Sequence, residues 1–198
     1  MKRRAIDRIV SLLGLGLSVF LFIAAGLLNW GYTFADKNVR EQLSAQKISF
    51  PAADSDSFKA LPMKDQEALT PFAGMQMTTG EQARAYADHY IGVHVKGIAG
   101  GKTYSEVSGE ALAASAASKA DPNNSQLAAQ AATLMGERTT LFMGETLKGL
   151  LGNAYVFWQL GQIAMYAMWA ALVGGAIMLI LSILGFMHLR RTPEGTTI

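Results

Sequence analysis

The sequence predicts a mainly α fold: two transmembrane helices extended into an extracytoplasmic helical stalk, carrying short helices and an irregular Pro-containing arm. Three observations support this. Two long stretches, Ile9 to Tyr32 and Gly149 to Met187, contain no charged residue, and about 20 apolar helical residues cross a bilayer core. Basic residues lie outside both stretches, Lys2, Arg3, Arg4 and Arg8 before the first and Arg190 and Arg191 after the second. The segment from Ser125 to Arg191 has neither a proline nor a cluster of turn residues.

Lys and Arg near a span end are retained on the cytoplasmic side. The basic flanks therefore predict a plasma-membrane protein with both termini cytoplasmic and the middle outside. The expected division is residues 1–8 as a basic cytoplasmic N-terminus, 9–32 as the first span and 33–162 as the extracytoplasmic domain. Residues 163–187 form the second span and 188–198 a cytoplasmic tail. A cleaved signal peptide shares the basic start and apolar run. Here the run exceeds the roughly 7–15 residues typical of one, and Ile23-Ala24-Ala25 is a poor small-x-small cleavage site. The chain has no cysteine, so no disulfide or lipoprotein anchor is available and the outer domain must be held by packing alone.

In the first span, Gly14, Ser18 and Ala25 fall on one helical stripe that would receive another helix closely. Trp30, Tyr32 and Phe34 suit the headgroup layer at its outer end. Charged, helix-compatible sequence continues to Gln46 and stops before Ile48-Ser49-Phe50-Pro51, because proline disfavours helix at the preceding residue. From there to Thr79, Pro51, Pro62 and Pro71 punctuate short apolar pieces, which predicts an irregular arm hugging the surface.

A helix start is written at Thr78-Thr79-Gly80-Glu81-Gln82, where a hydroxyl caps free amides and an acid three residues on returns the bond. Ala83, Ala87, Tyr90, Ile91, His94 and Ile98 then recur at helical spacing as one packed face, with the helix ending at Gly97 or Gly100-Gly101. An Ala-rich helix fits Ser108 to Ala120 and ends at Asp121-Pro122-Asn123-Asn124. A nearly continuous helix begins at Ser125. At about 1.5 Å per residue it is too long for the bilayer alone, so its outer part is expected to stand as the stalk. Asn153, Gln159 and Gln162 put the membrane entry near Ile163. Ala167, Ala171 and Gly175 form a small-xxx-small series in the second span. Packing on the chain's own first span is favoured, and a homodimer through the same residues stays open.

The functional signals are mostly exclusions. Gly97-Ile98-Ala99-Gly100-Gly101-Lys102-Thr103 imitates a phosphate-binding loop, but Lys96 stands where its first glycine is required, and a helix precedes it instead of a strand. His89 and His94 are five apart and cannot form the i, i+4 pair of a zinc helix. His94 is expected in the packed face and His89 on the solvated one. Asp54 with Asp56, and Glu106 with Glu110, match no calcium loop and read as solvated loop acids. No Gly-x-Ser-x-Gly elbow is present. At 51% hydrophobic, 16% charged and net +2, the chain has its loop cations interspersed with acids, so no nucleic-acid partner is expected. The sequence predicts no catalytic residue, no metal and no cofactor.

The string His89-Tyr90-Ile91-Gly92-Val93-His94 through Gly100-Gly101-Lys102-Thr103-Tyr104-Ser105-Glu106-Val107 resembles a family of actinobacterial two-span membrane proteins. Glu41 to Ile48, Ala85-Tyr86-Ala87-Asp88, Gly144 to Gly149 and Asn153-Ala154-Tyr155 also resemble its pattern, so the likeness runs from the first span to the second. Members of this family are often labelled aromatic ring-opening dioxygenases. That activity needs an iron site, and two histidines on different helix faces without a facial triad do not supply one. The layout is similar to accessory subunits of the actinobacterial cytochrome bcc-oxidase supercomplex, an analogy of layout only.

The expected function is therefore non-catalytic. The spans would dock beside a larger membrane complex while the domain covers an extracytoplasmic surface. The competing reading is a module that closes around a lipid or small envelope ligand with Tyr86, Tyr90, Ile91 and Tyr104. Docking predicts an exposed apolar patch, and ligand binding predicts a closed cavity.

Overall fold

The computed structural model describes residues 3–191 and 193; Lys2 and most of the tail beyond Arg191 lie outside the described residues. The protein is mainly helical. Among the described residues there is no strand, only an isolated antiparallel bridge between Ser49 and Gln76. Two long helices, α1 (Arg3–Gln46) and α7 (Ser125–Arg191), are each apolar and long enough to cross a membrane. The chain divides into two compact units, Met1–Lys37 with Gln159–Ile198, and Asn38–Trp158.

In the first unit, stretches of α1 and α7 pack antiparallel along a seam of small residues. Ser11, Ser18 and Ala25 are buried at seven-residue intervals on α1, as are Gly161, Met168, Gly175 and Ser182 on α7. A period of seven is the repeat that keeps two helices in contact along a left-handed crossing. Ser18 Oγ donates to the Gly175 carbonyl at 2.8 Å, and Ser182 Oγ donates to the Met178 carbonyl at 2.8 Å. A Cβ on Gly14 would meet the Ser182 hydroxyl, one on Gly185 would meet Ser11, and one on Gly161 would lie 3.0 Å from Ala35 Cβ. The large side chains, among them Leu13, Phe20, Leu27, Trp169 and Ile180, point outward.

The second unit is built the other way round. Its main core joins Val39 and Leu43 of α1, Leu151 of α7, and Phe50, Phe58, Leu61, Leu69 and Met77 from the Pro-containing segment. Burying side chains of this size contributes about 1.5–3 kcal/mol each. The expected surface arm is thus a core supplier and is partly helical, with α2 (Asp56–Lys59), α3 (Met63–Leu69) and a 3-10 turn at Thr70–Phe72. Ser55 caps α2 by accepting from Phe58 N at 3.3 Å. α1 ends where Lys47 turns into the left-handed region at φ 54°. Phe50 N then donates to the Met75 carbonyl and Met77 N to the Ile48 carbonyl, both at 2.9 Å, so the two ends of the segment hold each other.

α4 (Gly80–Tyr86) begins at a capping box, but the cap is Thr79 and the returning side chain is Gln82, not an acid. Gln82 Oε1 accepts from Thr78 N at 2.7 Å and Thr79 N at 3.1 Å. Gly80 is required by close approach, since a Cβ there would fall 2.7 Å from Trp158 Cγ. α4 passes through a π-helical turn, Ala87–Ile91, into α5 (Gly92–Gly97). That turn holds one extra residue, which rotates the succeeding helical face by about 100°. Val95 is buried in consequence and His94 is exposed, the reverse of the expected packed face.

After α5, Ala99, Gly100 and Gly101 all have positive φ, and Thr103 caps α6 (Tyr104–Ala120) in a second capping box with Glu106. α6 therefore starts before the expected Ser108. Val107 of α6, Val95 and Leu141 of α7 form a second small core with Ile91, Ile98, Ala99 and Tyr104 packed on it. Asn124 opens α7 by accepting from Gln126 N at 3.1 Å and Leu127 N at 3.2 Å. α7 runs on through Gly136, Gly144, Gly149 and Gly152 without a break. Gly144 lets Val95 approach, because a Cβ there would collide with it.

Candidate functional site

The six small residues singled out in the spans sit in the first unit. Ser18 meets Gly175, Gly14 faces Ser182, and Ala25 and Ala171 share a buried cluster with Met168. Ala167 is half-buried; the buried position is Met168, one residue later.

Tyr86, Tyr90, Ile91 and Tyr104 are divided between two places in the second unit. Tyr86 and Tyr90 belong to a line of rings: Phe72 to Phe50 at 5.5 Å, Phe50 to Tyr86 at 5.2 Å edge-on, Tyr86 to Tyr90 at 4.8 Å, and Tyr90 to His94 at 4.5 Å. Such contacts add to the energy of burial. Burial pushes the Tyr86 phenol up to about 12, with Tyr90 adding to the shift, so Tyr86 stays neutral and packs as an apolar ring. Ile91 and Tyr104 lie instead on the second core. The four residues do not converge on one cavity.

The two histidines exchange the roles expected of them. His89, inside the π turn, is half-buried and its Nδ1 lies 2.8 Å from Oδ1 of Asp65, which is buried in α3. His94 Nδ1 contacts the Tyr90 carbonyl at 2.7 Å on the exposed side. Among the described residues no group of three or more His, Asp or Glu is placed to hold a metal ion.

Glu106 and Glu110 are helical, not loop acids. Thr103 donates to Glu106 from its backbone and its hydroxyl, both at 2.7 Å, and these bonds hold the carboxyl below its usual value. Glu110 takes Lys102 at 2.8 Å and raises the ammonium pKa. Arg84 lies 4.7 Å from the centre of the Tyr155 ring and 3.5 Å from Asp88. A hydrogen bond with Tyr155 is the main cause of its raised pKa.

One surface was not anticipated from the sequence. On α7, Ala132, Gly136, Thr139, Met143, Thr146, Leu150, Asn153 and Phe157 are all exposed, and they alternate in steps of four and three. That is the spacing of a helix-packing seam. It is uncharged, and Met143, Leu150 and Phe157 are 57%, 64% and 52% exposed. The far side of this stretch supplies Leu141 and Leu151 to the cores of the second unit, while Leu147 and Ala154, three and four residues from seam positions, pack beside the seam.

A shallow cavity of about 270 Å³ lies between α6 and α7, lined by Tyr104, Arg138, Thr139 and Phe142. Arg138 Nε donates to Ser108 Oγ at 3.0 Å, and its guanidinium carbon is 6.0 Å from the Tyr104 ring centre.

No protein-family model matches the chain, and no curated protein or solved structure matches it either.

Proposed function

We propose that the protein is a non-catalytic, membrane-anchored accessory subunit that docks with a larger membrane complex. The α1/α7 pair is its two-span anchor in the plasma membrane, with both termini cytoplasmic and the second unit outside. The observation that carries the reading is the uncharged, heptad-spaced seam on α7, which is exposed although its opposite face is packed. Met143, Leu150 and Phe157, exposed at seven-residue spacing in the outer unit, make an apolar stripe, and exposed apolar surface marks a site of interaction. The four-three spacing fits a helix of a partner better than a flat surface. Small residues between the spans and large ones outside them fit helices packed in lipid. A respiratory supercomplex is the specific partner that the layout of the sequence suggests.

The test is purification of the tagged protein in mild detergent, with mass spectrometry of the proteins that accompany it and an absorption spectrum for haem. Stoichiometric membrane subunits are expected with the native chain and not with Leu150→Glu, Phe157→Glu. Haem in the native sample would identify a respiratory partner. Recovery of the chain alone, or as a pair of copies, would overturn docking with a larger complex.

A further inference from the structure

We propose that the cavity between α6 and α7 binds a small amphiphilic anion, a phosphate ester whose apolar part lies on the rings of Tyr104 and Phe142 while Arg138 holds its charge. The cavity borders the α7 seam through Thr139, but the site is carried by Arg138 and the two rings and not by the docking reading. Arg138 is half-buried and makes no ion pair among the described residues. Lys148, the other half-buried cation of the second unit, is paired with Glu145 at 3.1 Å. A partly desolvated cation without a counter-ion is costly, and an incoming anion relieves that cost.

The guanidinium is also held in place before any ligand arrives. Its Nε is fixed by Ser108, its Nη1 reaches only the Met135 sulfur at 4.0 Å, and the ring of Tyr104 lies beside it. The outer edge of the fork is left for an acceptor, and paired guanidinium donors match phosphate geometry. Among the described residues Arg138 is the one charged residue lining the cavity, which favours an anion. The Tyr104 and Phe142 ring centres are 5.8 Å apart and form the apolar wall, while the Tyr104 hydroxyl has no hydrogen bond among the described residues.

The probe is phenyl phosphate, titrated calorimetrically into the full-length protein in a maltoside detergent and phosphate-free buffer, with inorganic phosphate as the headgroup alone. Phenyl phosphate is expected to bind more tightly than inorganic phosphate. Arg138→Gln should weaken it by about tenfold or more, since charge-assisted bidentate bonds are the strong ones. Phe142→Ala should weaken phenyl phosphate alone. Unchanged binding by Arg138→Gln, or no binding of phenyl phosphate to the native chain, would overturn the site. If Arg138→Gln does not fold, Phe142→Ala decides the matter, because its ring is exposed. Repeating the titration in nanodiscs of phosphatidylcholine with and without phosphatidic acid identifies the source. Competition by the anionic lipid supports a lipid headgroup, and undiminished binding supports a free phosphate ester.

Discussion

In the unit from Asn38 to Trp158, Leu69 and Met77 have no exposed surface, whereas in the α1/α7 pair it is Ser18 and Ala25 that are nearly fully buried, at 1% and 2%. The outer unit buries bulky side chains together with small ones such as Ala83 and Ala111, whereas the helix pair buries mainly small ones, with Met168 as a larger exception. In water, apolar area drives association, so the bulkiest groups are sequestered. In lipid that drive is missing, and helices associate where small residues let their backbones approach. The contrast lies in which side chains face out, not in overall composition, and this is why the membrane reading rests on the seam as well as on hydropathy.

The contrast is broken most directly by truncating the large interior. Leu69→Ala should cost about 2–5 kcal/mol, the range for deleting a buried leucine side chain, measured by chemical denaturation of the full chain. A loss below about 1 kcal/mol would mean that the Pro-containing segment is not core. In the helix pair the sensitive change runs the other way. Gly14→Leu, which must displace Ser182, should cost about 1–3 kcal/mol, while Phe20→Ala should stay within about 0.5 kcal/mol. Thermal unfolding in detergent distinguishes them, and the reverse order would contradict a small-residue seam.

A smaller effect sharpens the account of the outer unit. The folded Tyr86 phenol is raised to about 12 from an ordinary 10.0, so its burial is stabilising below the unfolded pKa. That contribution is lost as pH rises through the folded value. Ultraviolet titration of phenolate should show a late tyrosine that is absent in Tyr86→Phe, and the variant should lose part of the native chain's alkaline sensitivity. Early titration of every tyrosine would contradict the buried ring line.

The range of each interaction governs how much of this was legible in the sequence. The ends of α1 and α7 were legible because local chemistry sets them: Pro51 stops one region, and nothing between Ser125 and Arg191 stops the other. The core role of Phe50, Phe58, Leu61, Leu69 and Met77 was not, because they occur singly at irregular spacing and have no period to read. The π turn has no signature in a 3.6-residue pattern, so its one added residue exchanged the roles of His89 and His94. Asp65 and His89 are 24 residues apart and meet only through tertiary packing. The α7 seam was legible in principle from its four-three spacing, but Thr139, Thr146 and Asn153 alternate with its large apolar members and mask its period.

The central claim is that this seam is covered by another protein while the outer surface of the helix pair is covered by lipid. Photo-crosslinking in native membranes tests it, with benzoylphenylalanine placed at Phe157 in one variant and at Phe20 in another. The account predicts a discrete protein adduct larger than a pair of chains from position 157, and lipid adducts alone from position 20. Lipid adducts alone from both positions, or a pair of chains from position 157, would contradict it.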